Sequence, residues 1–253
     1  MNGQQTSERA GISPQIPPAS SRRPRLYKYF TETRWAQAFL QGELRFRSLS
    51  YFRDFEDNNV REDPDEGTAL YRPEGGLAGN NMTQGRPFHL PGYGLESAAK
   101  QDQIFVHCVS RSLTQELRDR FGAVACVEIL DTAALCGRIE AALPPGASFP
   151  GRPGRTRIGR RVDYYRETDT CNPRWALPDV IATSKFADYG WQDEFRLVFS
   201  LTDALGFEKV NLRLMKDRVR KAPNDDEHHY FDVGRFGEAS AISAGFTNSN
   251  RDI

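Results

Sequence analysis

The chain has no long hydrophobic run, little sulfur and no net charge, and each absence removes a class of protein. No stretch of its 253 residues approaches the ~18 consecutive apolar residues that span a membrane. The amino terminus lacks the apolar segment of a secretory signal, so a soluble protein made without a signal peptide is expected. Such a protein is cytoplasmic, or is delivered to a target cell by a route that leaves no such mark. The four cysteines, Cys108, Cys126, Cys136 and Cys171, form no Cys-x-x-Cys pair, and no histidine stands at zinc-finger spacing. That argues against a structural metal site and a disulfide framework, and suits a reducing compartment. Cys108 and Cys126 fall in apolar, strand-like runs, where a thiol serves as a small buried hydrophobe. Lys plus Arg and Asp plus Glu number 34 each, so no overall field recruits nucleic acid or an anionic membrane. Basic clusters remain locally at "SRRPR" (21–25) and "GRPGRTRIGRR" (151–161).

What is present organises one domain. Residues 1–24 are rich in Gln, Ser and Pro with almost no large apolar groups, and are expected to form a disordered leader. A single domain is expected over 25–240, with a loose tail over 241–253. "RLYKYF" (25–30) reads as a strand. "TETRWAQAFLQGE" reads as a helix capped by Thr31 or Thr33 and stopped at Gly42, with Trp35 and Phe39 stacked one turn apart. "LRFRSLSYF" (44–52) alternates as a half-buried strand should, and a long polar excursion follows over 54–100. Strands are expected at 103–110, 123–130, 160–165, 209–214 and 228–234, and helices at 113–122 and 132–143, with a short helix within 175–186. The sum is α+β, a few helices on curved, mostly antiparallel sheet.

The stretch "KFADYGWQDEFRLVFS" (185–200) carries the chemistry. Side chains alternate along a strand. One face reads Trp191, Asp193, Phe195, Leu197, Phe199 and is expected to be core. The other reads Gln192, Glu194, Arg196, Val198, Ser200, and its polar end is either solvated surface or the floor of a cleft. A carboxylate there can accept a ribose hydroxyl and stabilise positive charge developing on an anomeric carbon, as cleavage of an N-glycosidic bond requires. Tyr27 and Tyr29 share a face opposite Lys28 and are expected in the core. Tyr51 and Phe52 end a strand beside the acidic loop, where either can stack on a flat cationic ring or anchor the chain. Arg61, Asp63, Asp65 and Glu66 read as a solvated charge cluster rather than a cation site, because no defined loop spacing links them. His228 and His229 are adjacent, so on a strand they point apart and do not share a metal.

The block "LYKYFTETRWAQAFLQGELRFRSLSYFRDFEDNNVREDPDEG" (26–67), the later "HCVS" with Cys108 and Ser110, and "YGWQDEFR" near the end together resemble an uncharacterised bacterial domain family. Its members carry a Tyr-Lys-Tyr first strand and a late Trp-x-x-Glu-x-Glu-x-Arg motif, in which Gln192 here replaces the first Glu. The order of elements is also similar to the ADP-ribosyltransferase superfamily. That resemblance implies a split-sheet fold and NAD as substrate. Lys28 on the first strand, or Arg25 in its place, would hold NAD, with Ser110 orienting the nicotinamide ribose. Glu194 would promote loss of nicotinamide, and Gln192 would present the acceptor, with Tyr27 and Tyr51 near the cofactor. It implies an NAD-dependent ADP-ribosyltransferase-like enzyme, a toxin, effector or phage-defence component that modifies a protein or nucleic acid. The alternative is a non-catalytic nucleotide- or protein-binding module of the same fold. A nuclease using the acids of 54–67 with a divalent metal ranks last.

Overall fold

The computed structural model describes residues 25–54, 63–150, 158–169, 172–206, 209–216, 228–232 and 239–242. The expected leader and most of the expected tail lie outside these residues, as do Arg61 and Cys171.

Strand β1 (Leu26–Phe30) leads into helix α1 (Thr33–Gln41), which Gly42 ends in the left-handed conformation at φ 105°. Its amino-terminal cap is Glu32, without a side-chain capping bond, rather than either threonine. Phe39 is buried, but Trp35 is 47% exposed, so the expected stack of the two does not form the helix's inner face. Strand β2 (Glu43–Ser48) is shorter than the alternation suggested, because the chain turns into helix α2 (Leu49–Asp54), which carries Tyr51 and Phe52. The described part of the long polar excursion holds four strands, β3 (Thr68–Tyr71), β4 (Leu77–Asn81), β5 (Arg86–Leu90) and β6 (Gly94–Ala98). Strand β7 (Phe105–Ser110), helix α3 (Gln115–Arg120), strand β8 (Ala125–Ile129) and helix α4 (Thr132–Ala142) follow as expected. Thr114 and Asp131 cap these two helices by accepting backbone N–H bonds. Strands β9 (Gly159–Arg161) and β10 (Asp163–Tyr165) precede helix α5 (Pro178–Ile181), β11 (Ser184–Phe186), a 3₁₀ turn (Ala187–Gln192) and β12 (Glu194–Phe199). Strands β13 (Asn211–Met215), β14 (His228–Asp232) and β15 (Ala239–Ile242) complete the described elements, the last entering the segment expected to be loose.

The main sheet has the order β14-β2-β7-β1-β8-β15, with β12 along the other edge of β7 and β9 beyond it. All its pairs are antiparallel, and the chain is α+β as expected. A three-stranded sheet β13-β6-β3, a parallel β10–β11 pair and the β4–β5 hairpin lie outside it. Leu26, Phe39, Phe46, Val109, Leu197 and Phe199 pack with α4 residues Leu135 and Ile139 on one side of the sheet. Leu49, Ile104, Val106, Tyr165, Trp175 and Val198 pack on the other. The sheet is therefore covered on both faces.

One edge of β7 determines where a site can form. Strand β12 pairs with all of 105–110, so β1 and β2 must share the opposite edge. There β2 reaches only Phe105 and Val106, and β1 reaches only Ser110. Between them the edge at 107–109 carries no strand partner among the described residues. The two strands splay away from β7, and the gap opens a cleft.

Candidate functional site

The cleft has a volume of about 340 Å³ and is walled by β1, β2, β7, α1, α2 and the 192–196 segment. Lys28, Ser110, Gln192 and Glu194 all line it, with Tyr27 and Tyr51. The pairing explains the assembly. Ser110 stands opposite Tyr27 on one side and opposite Glu194 on the other, so three distant segments meet in one row. Arg25 does not take the place of Lys28; it is bonded to Glu128 at 2.6 Å and does not line the cleft.

Each expected residue arrives with a partner. Lys28 sits in the gap and donates from Nζ to the Cys108 carbonyl at 2.6 Å. Ser110 is buried, and its hydroxyl donates to the Gln192 carbonyl at 2.8 Å. Tyr27, expected in the core with Tyr29, is only half-buried, at the margin of the cluster of Tyr29, Leu117, Ala123 and Cys126. Tyr51 lies on α2, and the Arg47 guanidinium covers its ring at 3.4 Å. The expectation that Tyr29 is core holds, and its hydroxyl donates to the Ser112 carbonyl at 3.0 Å.

The corner before β12 departs from the expected register. Trp191 and Gln192 belong to a 3₁₀ turn, and the strand begins at Glu194. Trp191 is half-buried against Phe121 rather than continuing the core face of the strand. Phe195 is also only half-buried at the margin of the core, whereas Leu197 and Phe199 are fully enclosed. Asp193 joins turn to strand in the left-handed region at φ 42°, unique among the described non-glycine residues. Its carboxylate accepts from the Ser112 hydroxyl at 2.5 Å and from Arg111 at 3.2 Å, which holds this uncommon conformation. The Glu194 N–H donates to the Tyr164 hydroxyl at 2.9 Å, and the Asp193 carbonyl accepts from the Arg111 N–H at 2.8 Å.

Behind the corner lies a buried group of charges that sequence reasoning missed. Arg196, 1% exposed, grips Glu66 with two bonds of 2.6 and 2.8 Å and reaches Glu194 Oε2 at 3.1 Å. Lys185 Nζ stands 3.6 Å from the same Glu194 oxygen and 3.9 Å from Glu66. Glu66 and Asp63 are therefore buried, not members of a solvated cluster. Glu66 tucks in because opposite charge 130 residues away in the chain offsets its desolvation. Arg196 and Glu194 are in phase on one strand, a signal visible in the sequence. Nothing local announces Glu66 as their partner. Among the described residues no group of three His, Cys, Asp or Glu side chains is placed to hold a metal ion. The side chains of His228 and His229 lie outside those described.

The charges set the protonation states. Burial alone would push the Glu194 carboxyl up, but Arg196 and Lys185 outweigh it and bring it down to about 2. Burial, with Glu66 close by, pushes Asp63 up to about 7. Burial likewise holds the Cys108 thiol protonated, an inert group. His107, enclosed between the rings of Phe39 and Phe46, is lowered by burial and by Lys28 to about 3, so its imidazole is neutral.

This arrangement can hold a fixed carboxylate at the wall of a cleft that Lys28, Arg45 and Arg47 also line. Such a cleft can set its cations against anionic groups of a ligand and its carboxylate against a developing cation. Compared with models of known protein families, with curated proteins and with solved structures, the chain matches none.

Proposed function

We propose that this protein is an ADP-ribosyltransferase-like enzyme that binds NAD in the cleft and cleaves its bond between nicotinamide and ribose. The observation that supports it most is the single row of Tyr27, Ser110 and Glu194 across β1, β7 and β12, with Lys28 in the gap beside it. In this reading Glu194, kept ionised by its neighbours, stabilises the oxocarbenium ion as nicotinamide leaves with the bonding electron pair. Lys28 faces the phosphates as a point charge. Ser110 acts by fixing the Gln192 carbonyl, and so shapes the corner. Gln192 stands beside the reacting centre, where an acceptor from a protein or nucleic acid would enter.

A second reading, a non-catalytic nucleotide- or protein-binding module, draws on a specific observation. The Ser110 hydroxyl and Glu194 Oε2 are both engaged inside the protein. Incubation with NAD labelled in its adenylate half, with and without a cell lysate, separates the two readings. An enzyme releases nicotinamide, and transfer of label marks the acceptor. Glu194→Gln is expected to lower nicotinamide release about 10²–10³-fold, as expected for losing one electrostatic stabiliser, while a thermal melt shows it folded. Wild-type protein that binds NAD without releasing nicotinamide would favour the binding module.

A further inference from the structure

Lys185 has no assigned part in the reading above, yet its side chain, 4% exposed, ends at the centre of the site. It stands on β11 directly opposite Tyr164 on β10. The two neighbours reach the same corner: Tyr164 takes the Glu194 N–H, and Lys185 takes the side chains. Its one short bond, at 2.8 Å, goes to Gln192 Oε1, while the carboxylates of Glu194 and Glu66 stand at 3.6 and 3.9 Å. A lysine serving only as an ion-pair partner would close on a carboxylate, where the charge-assisted bond is stronger. This one hydrogen-bonds a neutral amide while two acids stand at ion-pair distance, beyond hydrogen-bond range.

That choice has a directional consequence. An ammonium group offers donors only, so it accepts the oxygen end of the Gln192 amide and rejects the nitrogen end. The amide is thereby fixed one way round. Arg196 and Lys185 also approach the same oxygen of Glu194, Oε2, so both cations act on one side of the carboxylate. The groups that face Glu194 are Arg196 on its own strand, Cys108 on β7, Tyr164 on β10 and Lys185 on β11, with Glu66 across the cluster.

We propose that Lys185 is a positioning residue, which fixes the amide of Gln192 and the carboxylate of Glu194 together as one unit at the cleft wall. The proposal rests on the NAD-cleaving reading for its catalytic consequence, though not for its structural claim. Lys185→Met keeps the stem and removes the charge. In that variant the Kd for NAD stays within about threefold of wild type, because Lys185 touches Gln192 and not Lys28, to which the reading above gives the phosphates. The kcat for nicotinamide release falls about 10- to 100-fold, and the acid limb of its pH profile moves upward. Combining Lys185→Met with Gln192→Ala lowers label transfer by less than the product of the two separate effects, because part of the action of Lys185 runs through Gln192.

A carbon-13 NMR titration of the Glu194 carboxyl, assigned with Glu194→Gln, and the Gln192 side-chain amide signals, assigned with Gln192→Ala, are recorded in parallel. Lys185→Met is expected to raise the Glu194 titration and shift the Gln192 amide. If the wild-type protein does not cleave NAD, the NAD-cleaving reading fails, and these two spectra still decide whether Lys185 positions the pair. If Lys185→Met does not fold, Lys185→Arg takes its place. It keeps the charge and moves the donors, so a lowered kcat with an unmoved Glu194 titration supports the proposal. For Lys185→Met, unchanged spectra, wild-type kcat and transfer, or effects fully additive with those of Gln192→Ala would overturn it; for Lys185→Arg, a wild-type kcat or an unmoved Gln192 amide would.

Discussion

Glu66 and Arg196 meet through two hydrogen bonds with both side chains 1% exposed, and this contact anchors the wall on which Glu194 stands. Two charges so deeply enclosed are stable only together, because desolvation is offset by their mutual attraction and by the bond from Arg196 to the Ala182 carbonyl. Glu66→Ala is therefore expected to cost about 3–5 kcal/mol in urea unfolding. Replacing both partners by methionine should cost less than Glu66→Ala alone, since no uncompensated charge is left. A smaller loss for the single substitution would mean that water reaches the cluster. Of this group, Glu194 is legible as a candidate-site residue from strand phase and motif. Glu66 and Asp63 read as solvated charge, because acidic residues in a polar run carry no sign of the cation they will meet.

At the scale of the element, β12 shows where alternation holds and where it fails. Leu197 and Phe199 point to one core and Val198 to the other, as the pattern of apolar residues predicts. Toward the amino terminus the alternation stops at Glu194. A 3₁₀ turn and a left-handed Asp193 interrupt it, so Gln192 and Glu194 are adjacent at a corner rather than spaced along a strand. Phe195, at the margin, packs partly against the core while Leu197 is wholly enclosed. Leu197→Ala is thus expected to cost about 2–5 kcal/mol, and Phe195→Ala less than that despite its larger ring. Thermal or chemical melts of the two variants give the order directly, and the reverse order would place Phe195 inside. The same limit applies to β2. Its alternation is real through Ser48, but Tyr51 and Phe52, read as the strand's end, belong to a helix that starts at Leu49.

For the whole molecule, the buried acids give opposite pH dependences. The Glu194 carboxyl lies at about 2 in the folded protein against an ordinary 4.5. The stability it contributes is present above 4.5 and is lost as pH falls from there toward 2. Asp63 is raised from 3.8 to about 7, so the folded state keeps a proton that the unfolded state releases, and stability declines as pH rises between those values. Asp63→Asn is therefore expected to raise the Tm relative to wild type at pH about 8, above the folded value, and to leave it nearly unchanged at pH about 3, where both states are protonated. An equal shift at both would mean that Asp63 acts through packing rather than charge. Local residue choice by itself determined the α+β class, the main strands, the helices around Phe39 and Leu135, and a polar patch ending at Glu194. These depend on period, capping and turn residues, interactions that act over a few positions. Only the tertiary structure decided that β1 and β2 part along one edge of β7, that Ser110 stands between Tyr27 and Glu194, and that Glu66, Lys185 and Arg196 enclose the carboxylate. The Ser110 and Glu66–Arg196 contacts join segments 82 and 130 residues apart, and the buried charges are held because their mutual attraction offsets the cost of leaving water, which no local pattern records.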